Sequence, residues 1–152
     1  MKRTKNIAVV GASVADPQLA ELAYAVGCEI ARHEWILVCG GLGGVMEAAS
    51  RGASEAGGTT IGILPGYDHS EGSRFLSIVI PTGLGHARNA VIAAAADGMI
   101  AVGGEYGTLS EIAFGLKLGK PVAALESWGM VKGVITVSSA EEAVIALKKH
   151  IA

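Results

Sequence analysis

Asp97-Gly98-Met99-Ile100-Ala101-Val102-Gly103-Gly104-Glu105-Tyr106-Gly107-Thr108-Leu109-Ser110-Glu111 decides the fold. Met99 to Val102 is an apolar run with the length of a buried strand. Gly103, Gly104 and Gly107 then punctuate the chain, and helical spacing resumes at Leu109, Ile112, Ala113 and Leu116. The stretch reads as strand, glycine turn and helix. Such a turn leaves backbone N–H groups bare at a helix start, where they have no internal partner and the helix dipole adds partial positive charge. An anion is favoured there, with phosphate the natural candidate. The same residues carry a purely structural alternative. Thr108 followed three residues later by Glu111 is a capping box, in which Thr108 accepts from the Glu111 N–H and Glu111 reaches back to the Thr108 N–H.

Upstream, Asn6 to Gly11 is a first buried strand that ends in Gly11-Ala12-Ser13. Asp16-Pro17 opens a helix as an N-cap followed by proline at the first helical position, with Leu19, Leu22, Ala23, Val26 and Ile30 at helical spacing. Trp35 to Cys39 is the second strand, followed by Gly40-Gly41-Leu42-Gly43-Gly44 and a helix from Val45 closed by Gly57-Gly58. Thr59 to Leu64 is the third. Pro65 to Phe75 is a polar loop and a candidate lid, carrying Tyr67, Asp68, His69, Glu71 and Arg74. Leu76 to Ile80 is a fourth strand, and a helix from His86 to about Ala96 follows with Arg88 in its first turn. Downstream, Val122 to Leu125 and Gly133 to Val137 are strands, and Ser138 or Ser139 caps a last helix. Alternating buried strands and helices predict one α/β domain over residues 1–152. It is Rossmann-like and doubly wound, with a mostly parallel sheet of about six or seven strands and helices on both faces. In such a sheet the strand carboxyl ends share one edge, so the Gly11, Gly40, Gly83–Arg88 and Gly103 segments converge. That convergence favours a ligand site over the capping box.

Composition narrows the function classes. A formal charge of −2 with pI near 6.1 supplies no basic patch for DNA or RNA. Lys2, Arg3 and Lys5 lead straight into a strand pattern, and no apolar signal core or membrane span follows, so a cytoplasmic protein is expected. Cys28 and Cys39 stand apart from any C-x-x-C or Cys/His cluster; both read as small buried hydrophobes, with no disulfide framework or metal site. His33 and His150 lie near predicted helix ends and read as solvent-facing. There is no G-x-G-x-x-G after the first strand, no G-x-x-x-x-G-K-[ST] and no G-x-S-x-G elbow, which counts against a dinucleotide fingerprint, a P-loop NTPase and a hydrolase triad.

With these segments in view, the chain resembles the LOG-like superfamily of Rossmann-type proteins over nearly its whole length. The family's P-G-G-x-G-T-x-x-E motif matches Gly103 to Glu111, its upstream R-K pair falls on Arg88-Asn89, and its Gly-rich segment on Gly40 to Met46. Three positions depart: Gly103 stands for Pro, Glu105 for Gly and Asn89 for Lys. Glu105 places a carboxylate inside the expected anion cradle, where like charge opposes a phosphate unless its side chain points away. The run Gly43-Gly44-Val45-Met46-Glu47-Ala48-Ala49-Ser50-Arg51-Gly52-Ala53 is similar to the short branch of molybdenum cofactor carrier proteins. Many members are labelled lysine decarboxylases, yet no lysine site for pyridoxal phosphate is recognisable here.

The resemblance implies a binding protein for a phosphorylated nucleotide-like or pterin ligand, molybdenum cofactor or a nucleoside monophosphate. Its expected contacts are Gly11, Ser13, Gly40, Gly41, Gly43, Gly44, Met46, Gly103, Gly104, Tyr106, Gly107 and Thr108. The alternative is a nucleoside 5′-monophosphate phosphoribohydrolase that needs no cofactor, with Arg88 and Glu111 as the catalytic pair. Glu111 would stabilise an oxocarbenium-like state and activate water. Arg88 would hold the ribose or the departing group. A homodimer or homotetramer is also implied.

Overall fold

The computed structural model describes residues 2–151. The chain runs β1 (Asn6–Gly11), α1 (Pro17–Arg32), β2 (Ile36–Cys39), α2 (Val45–Glu55), β3 (Thr60–Leu64), β4 (Ile78–Pro81), α3 (Arg88–Ala95), β5 (Gly98–Val102), α4 (Tyr106–Lys117), β6 (Val122–Leu125), β7 (Val134–Thr136) and α5 (Ala140–Lys148). Single 3-10 turns precede β4 (His69–Glu71) and α3 (Gly85–Ala87). One sheet takes the order β4-β3-β2-β1-β5-β6-β7, and every neighbouring pair is parallel.

Parallel strands covered on both faces must be apolar throughout, and β5 and β6 are buried at every position. Side chains alternate between two cores. Ile7, Val9, Ile100 and Val102 face α1, α2 and α5, packing with Val26, Ile30, Ala49 and Val144. Ala8, Val10, Met99 and Ala101 face α3 and α4, packing with Ile92 and Ile112. The α1–α2 contact is close because Gly27 and Gly52 sit in it: a Cβ at Gly27 would meet the Ala49 carbonyl, and one at Gly52 the Tyr24 carbonyl.

From β1 the chain winds outward through β2, β3 and β4, then α3 returns it past β1 to β5, from which it winds to the other edge. The connections after β1 and β5 therefore leave adjacent strands toward opposite faces, α1 on one and α4 on the other. A crevice must open between them.

Two helices end as the sequence predicts. Asp16 caps α1 by accepting from Leu19 N at 2.8 Å with Pro17 at the first position, and Ser139, not Ser138, caps α5 by accepting from Glu142 N at 3.2 Å. The capping box at Thr108 and Glu111 does not form. Helix α4 begins at Tyr106 with Glu105 as its N-cap residue and no side-chain cap, so Thr108 is already inside the first turn. Its hydroxyl faces Gly104, where a Cβ would collide with Oγ1. The expected helix from His86 splits into the Gly85–Ala87 turn and α3, and the fourth strand starts two residues later than its apolar pattern suggests. The Pro65–Phe75 loop is stitched down: Ser73 N donates to Gly41 O at 2.9 Å, and Gly83 N to Gly66 O at 2.8 Å.

Candidate functional site at the carboxyl edge of the sheet

The segments that follow β1, β2 and β5 are tied into one wall through Ala12, whose N–H donates to Val102 O at 3.2 Å and whose carbonyl accepts from Val45 N at 2.9 Å. Gly11 and Gly44 make this possible, because a Cβ on either would enter backbone atoms of Val102 or of Ala12 and Ser13. Ser13 is exposed at the lip.

The two glycine turns differ from the other helix starts in how their N–H groups are met. At α4, none of the five consecutive N–H groups from Gly104 to Thr108 has an acceptor among the described residues; the first satisfied donor is Leu109 N, to Glu105 O at 3.0 Å. At α2, Gly44 is the N-cap residue without a side-chain bond, and the N–H groups of Leu42, Gly43, Gly44, Met46 and Glu47 are likewise unmet. Gly103 (φ 58) and Gly104 (φ 97) occupy the left-handed region, as do Gly41 and Gly44. A Cβ-bearing residue is strained in that region, which explains why these turns are written in glycine. The starts of α1 and α5, by contrast, carry side-chain caps. Chemically, both glycine turns are arranged to receive acceptor oxygens that the chain itself does not supply.

Arg88 lies beneath the Gly40 turn, about nine-tenths buried. Its Nη1 donates to Gly40 O at 2.7 Å and to Ile63 O at 2.8 Å, joining the carboxyl ends of β2 and β3. Its Nε is buried with no partner among the described residues. Burial lowers the pKa of the guanidinium, against the opposite pull of Glu111. Glu111, half-buried one turn into α4, is lifted to about 7 by burial, with Arg88 pulling it down. The two side chains feel each other's charge, yet no ion pair within 4.0 Å joins them. Cys39 closes the floor: it is fully buried, burial pushes its thiol up, and it accepts from Gly41 N at 3.3 Å. Met46 Sδ packs beside Gly40.

The structure therefore gathers Gly11, Gly40, Gly41, Gly44, Met46, Arg88, Gly103, Gly104, Thr108 and Glu111 around one crevice, with Ser13, Gly43, Tyr106 and Gly107 exposed along its rim. His86 is exposed, Cys28 is half-buried and His33 is part-buried, its Nδ1 2.9 Å from Glu29 O. Glu105 is exposed and makes no side-chain hydrogen bond or ion pair among the described residues. Sequence reasoning missed Ser127 and Trp128. Both follow β6 on this same edge, and both donate to carbonyls of the Gly103–Glu105 turn. Their position directly after a predicted strand was the available signal.

A parallel doubly wound sheet with unsatisfied glycine-turn helix starts at its switch point defines a Rossmann-like domain. The chain belongs to the SLOG cluster4 family, whose pattern it matches over residues 4–151. It is 38% identical to the molybdenum cofactor binding protein of the phototrophic bacterium Rippkaea orientalis, with a TM-score of 0.94 and all of both chains covered. The molybdenum cofactor carrier protein of Chlamydomonas reinhardtii is 37% identical, with a TM-score of 0.88, covering 97% of this chain and 98% of that one. A protein of Archaeoglobus fulgidus of uncharacterised function is 45% identical over 139 residues, 91% of each chain. Among the described residues no helix is long and apolar enough to cross a membrane.

Proposed function

We propose that this chain binds a phosphorylated heterocyclic small molecule, a pterin such as molybdenum cofactor or a nucleotide-like compound, and carries it without turning it over. The observation that supports this most directly is the run of five unmet N–H groups from Gly104 to Thr108, with a second uncapped glycine turn at α2 tied to the same edge through Ala12. A phosphate satisfies several such donors at once and meets the positive end of the α4 dipole. Gly11, Ser13, Gly40, Gly41, Gly43, Gly44, Met46, Gly103, Gly104, Tyr106, Gly107 and Thr108 form the contact surface in this reading. Glu105 is exposed, so solvent and salt screen the like charge that its carboxylate brings to the turn. Likeness to molybdenum cofactor binding proteins supports a pterin as cargo.

Arg88 and Glu111 support the second reading, a phosphoribohydrolase. A carboxyl held near 7 beside a buried guanidinium suits a group that must change protonation during glycosidic cleavage. Binding of ribose 5-phosphate, nucleoside 5′-monophosphates and a pterin phosphate, followed by assay for free base, separates the two. Saturable binding without base release is expected. Base release abolished by Glu111→Gln would replace the carrier with the enzyme, and no binding of any phosphate compound would refute both.

We also propose self-association through the α3/α4 face. Ile78 and Ile80 of β4 pair with Ile61 and Ile63 in register, so they share the face that packs on α3, yet both remain exposed, as do Leu84 and, in α3 itself, Val91. Light scattering should report a dimer or tetramer that Ile80→Asp dissociates.

A further inference from the structure

Gly103 and Glu105 are held from outside their own turn. Ser127 Oγ donates to the Gly103 carbonyl at 2.6 Å, and Trp128 Nε1 donates to the Glu105 carbonyl at 3.1 Å. A trans peptide carries its C=O and N–H on opposite sides, and no cis bond occurs in the described chain. Fixing the oxygens of Gly103 and Glu105 toward the 127–128 loop therefore turns the N–H groups of Gly104 and Tyr106 away from it. Those are two of the five unmet donors.

The turn has need of such a brace. Gly103 and Gly104 are consecutive glycines in the left-handed region, and glycine keeps more backbone freedom than any other residue. Left alone, they would have to be ordered by the ligand. The brace itself is anchored: Trp128 packs against the core beneath α3 and α4, and its ring lies 6.1 Å from that of Tyr106 at 34°. Regular β5–β6 pairing ends at Val102 and Leu125, with Gly103 N still reaching Leu125 O, so the ladder does not account for the two side-chain bonds beyond it. The same crevice contains the buried, unpartnered Nε of Arg88, an independent sign that a polar occupant belongs there.

We infer that Ser127 and Trp128 are positioning residues for the anion: they pre-set the backbone donors of Gly104 and Tyr106, so the ligand meets an ordered cradle. This rests on the phosphate-binding reading of the crevice. Inorganic phosphate and ribose 5-phosphate are the probes, followed by 15N–1H spectra of the whole chain and of Ser127→Ala, Trp128→Phe and Ser127→Thr. The Phe variant keeps a ring against Tyr106 and loses the donor together with part of the ring volume, so Ser127→Ala is the cleaner of the two. In the unaltered chain the amide signals of Gly104 and Tyr106 should move on titration. Ser127→Ala and Trp128→Phe should each raise Kd by about tenfold, a loss expected when a residue's backbone must be ordered by the ligand. Ser127→Thr should restore affinity. Unchanged Kd in both variants while the two signals still move would overturn the brace and leave the phosphate reading standing, as would a lowered melting temperature with no change in Kd. No binding and no movement in the unaltered chain would overturn both. Should Trp128→Phe fail to fold, Ser127→Ala carries the test.

Discussion

Replacing Glu111 with Gln should make the protein more stable at alkaline pH and leave it unchanged at acid pH. The carboxyl is lifted from 4.5 to about 7, first by burial, and Arg88 only partly offsets this. In the folded chain Glu111 keeps its proton up to about 7; in the unfolded chain it gives it up near the ordinary value. Below that ordinary value both states are protonated and the group is neutral to stability. Between the two the folded state binds more protons, so stability falls as pH rises, and the loss is complete above about 7. At about 1.4 kcal/mol per pH unit the full loss is about 3 kcal/mol. Gln cannot ionise and escapes it. Urea denaturation of parent and Glu111→Gln, in steps across this range at fixed ionic strength, measures the difference in unfolding free energy between them. The subtraction cancels Asp97, Asp68 and Glu55, whose lowered pKa values act in the opposite sense in both proteins. A gap near zero at the acid end, opening to about 3 kcal/mol in favour of the variant by alkaline pH, is expected. A gap that stays flat with pH would show that Glu111 titrates as an ordinary surface carboxyl.

Arg88→Met removes the bonds to Gly40 O and Ile63 O and should destabilise the fold by about 1–3 kcal/mol, since two charge-assisted bonds are lost but a buried charge is also relieved. It should also raise the Glu111 pKa further, because Arg88 is what holds it down; NMR titration of the Glu111 carboxyl reads this directly. Gly104→Ala places a Cβ against Thr108 Oγ1 at a left-handed φ of 97 and should abolish phosphate binding in calorimetry, while circular dichroism keeps its helical signature. Gly27→Ala pushes a methyl into the Ala49 carbonyl between α1 and α2 and should cost about 1–3 kcal/mol or more in denaturant melts without touching the crevice.

Much of the geometry of the candidate site was legible because glycine is a backbone statement. Gly41, Gly44, Gly103 and Gly104 turned out left-handed where the sequence placed turns after strands, and the rule that strand carboxyl ends share an edge brought them together. The Thr108–Glu111 pair was ambiguous for a matching reason, and the convergence of glycine segments, not the pair itself, tipped the reading away from the capping box that the structure lacks. A capping box and a site motif use the same residue types at the same spacing, and only the position of the helix start tells them apart. Helix α4 starts at Tyr106, which frees Glu111 from backbone duty and leaves it half-buried near Arg88.

Local pattern alone determined the strands, the proline-led start of α1, the Ser cap of α5 and the turns, because those depend on side-chain period and on what each residue does to its own backbone. Tertiary structure decided what depends on separations of tens of residues. Arg88 reaches carbonyls 48 and 25 residues before it, Ser127 braces a carbonyl 24 residues before it, and the Glu111 carboxyl is lifted by burial that exists only once α3 and α4 have packed. Hydrogen-bond partners and desolvation are properties of neighbours in space, and a chain has those neighbours only when the sheet has set its order.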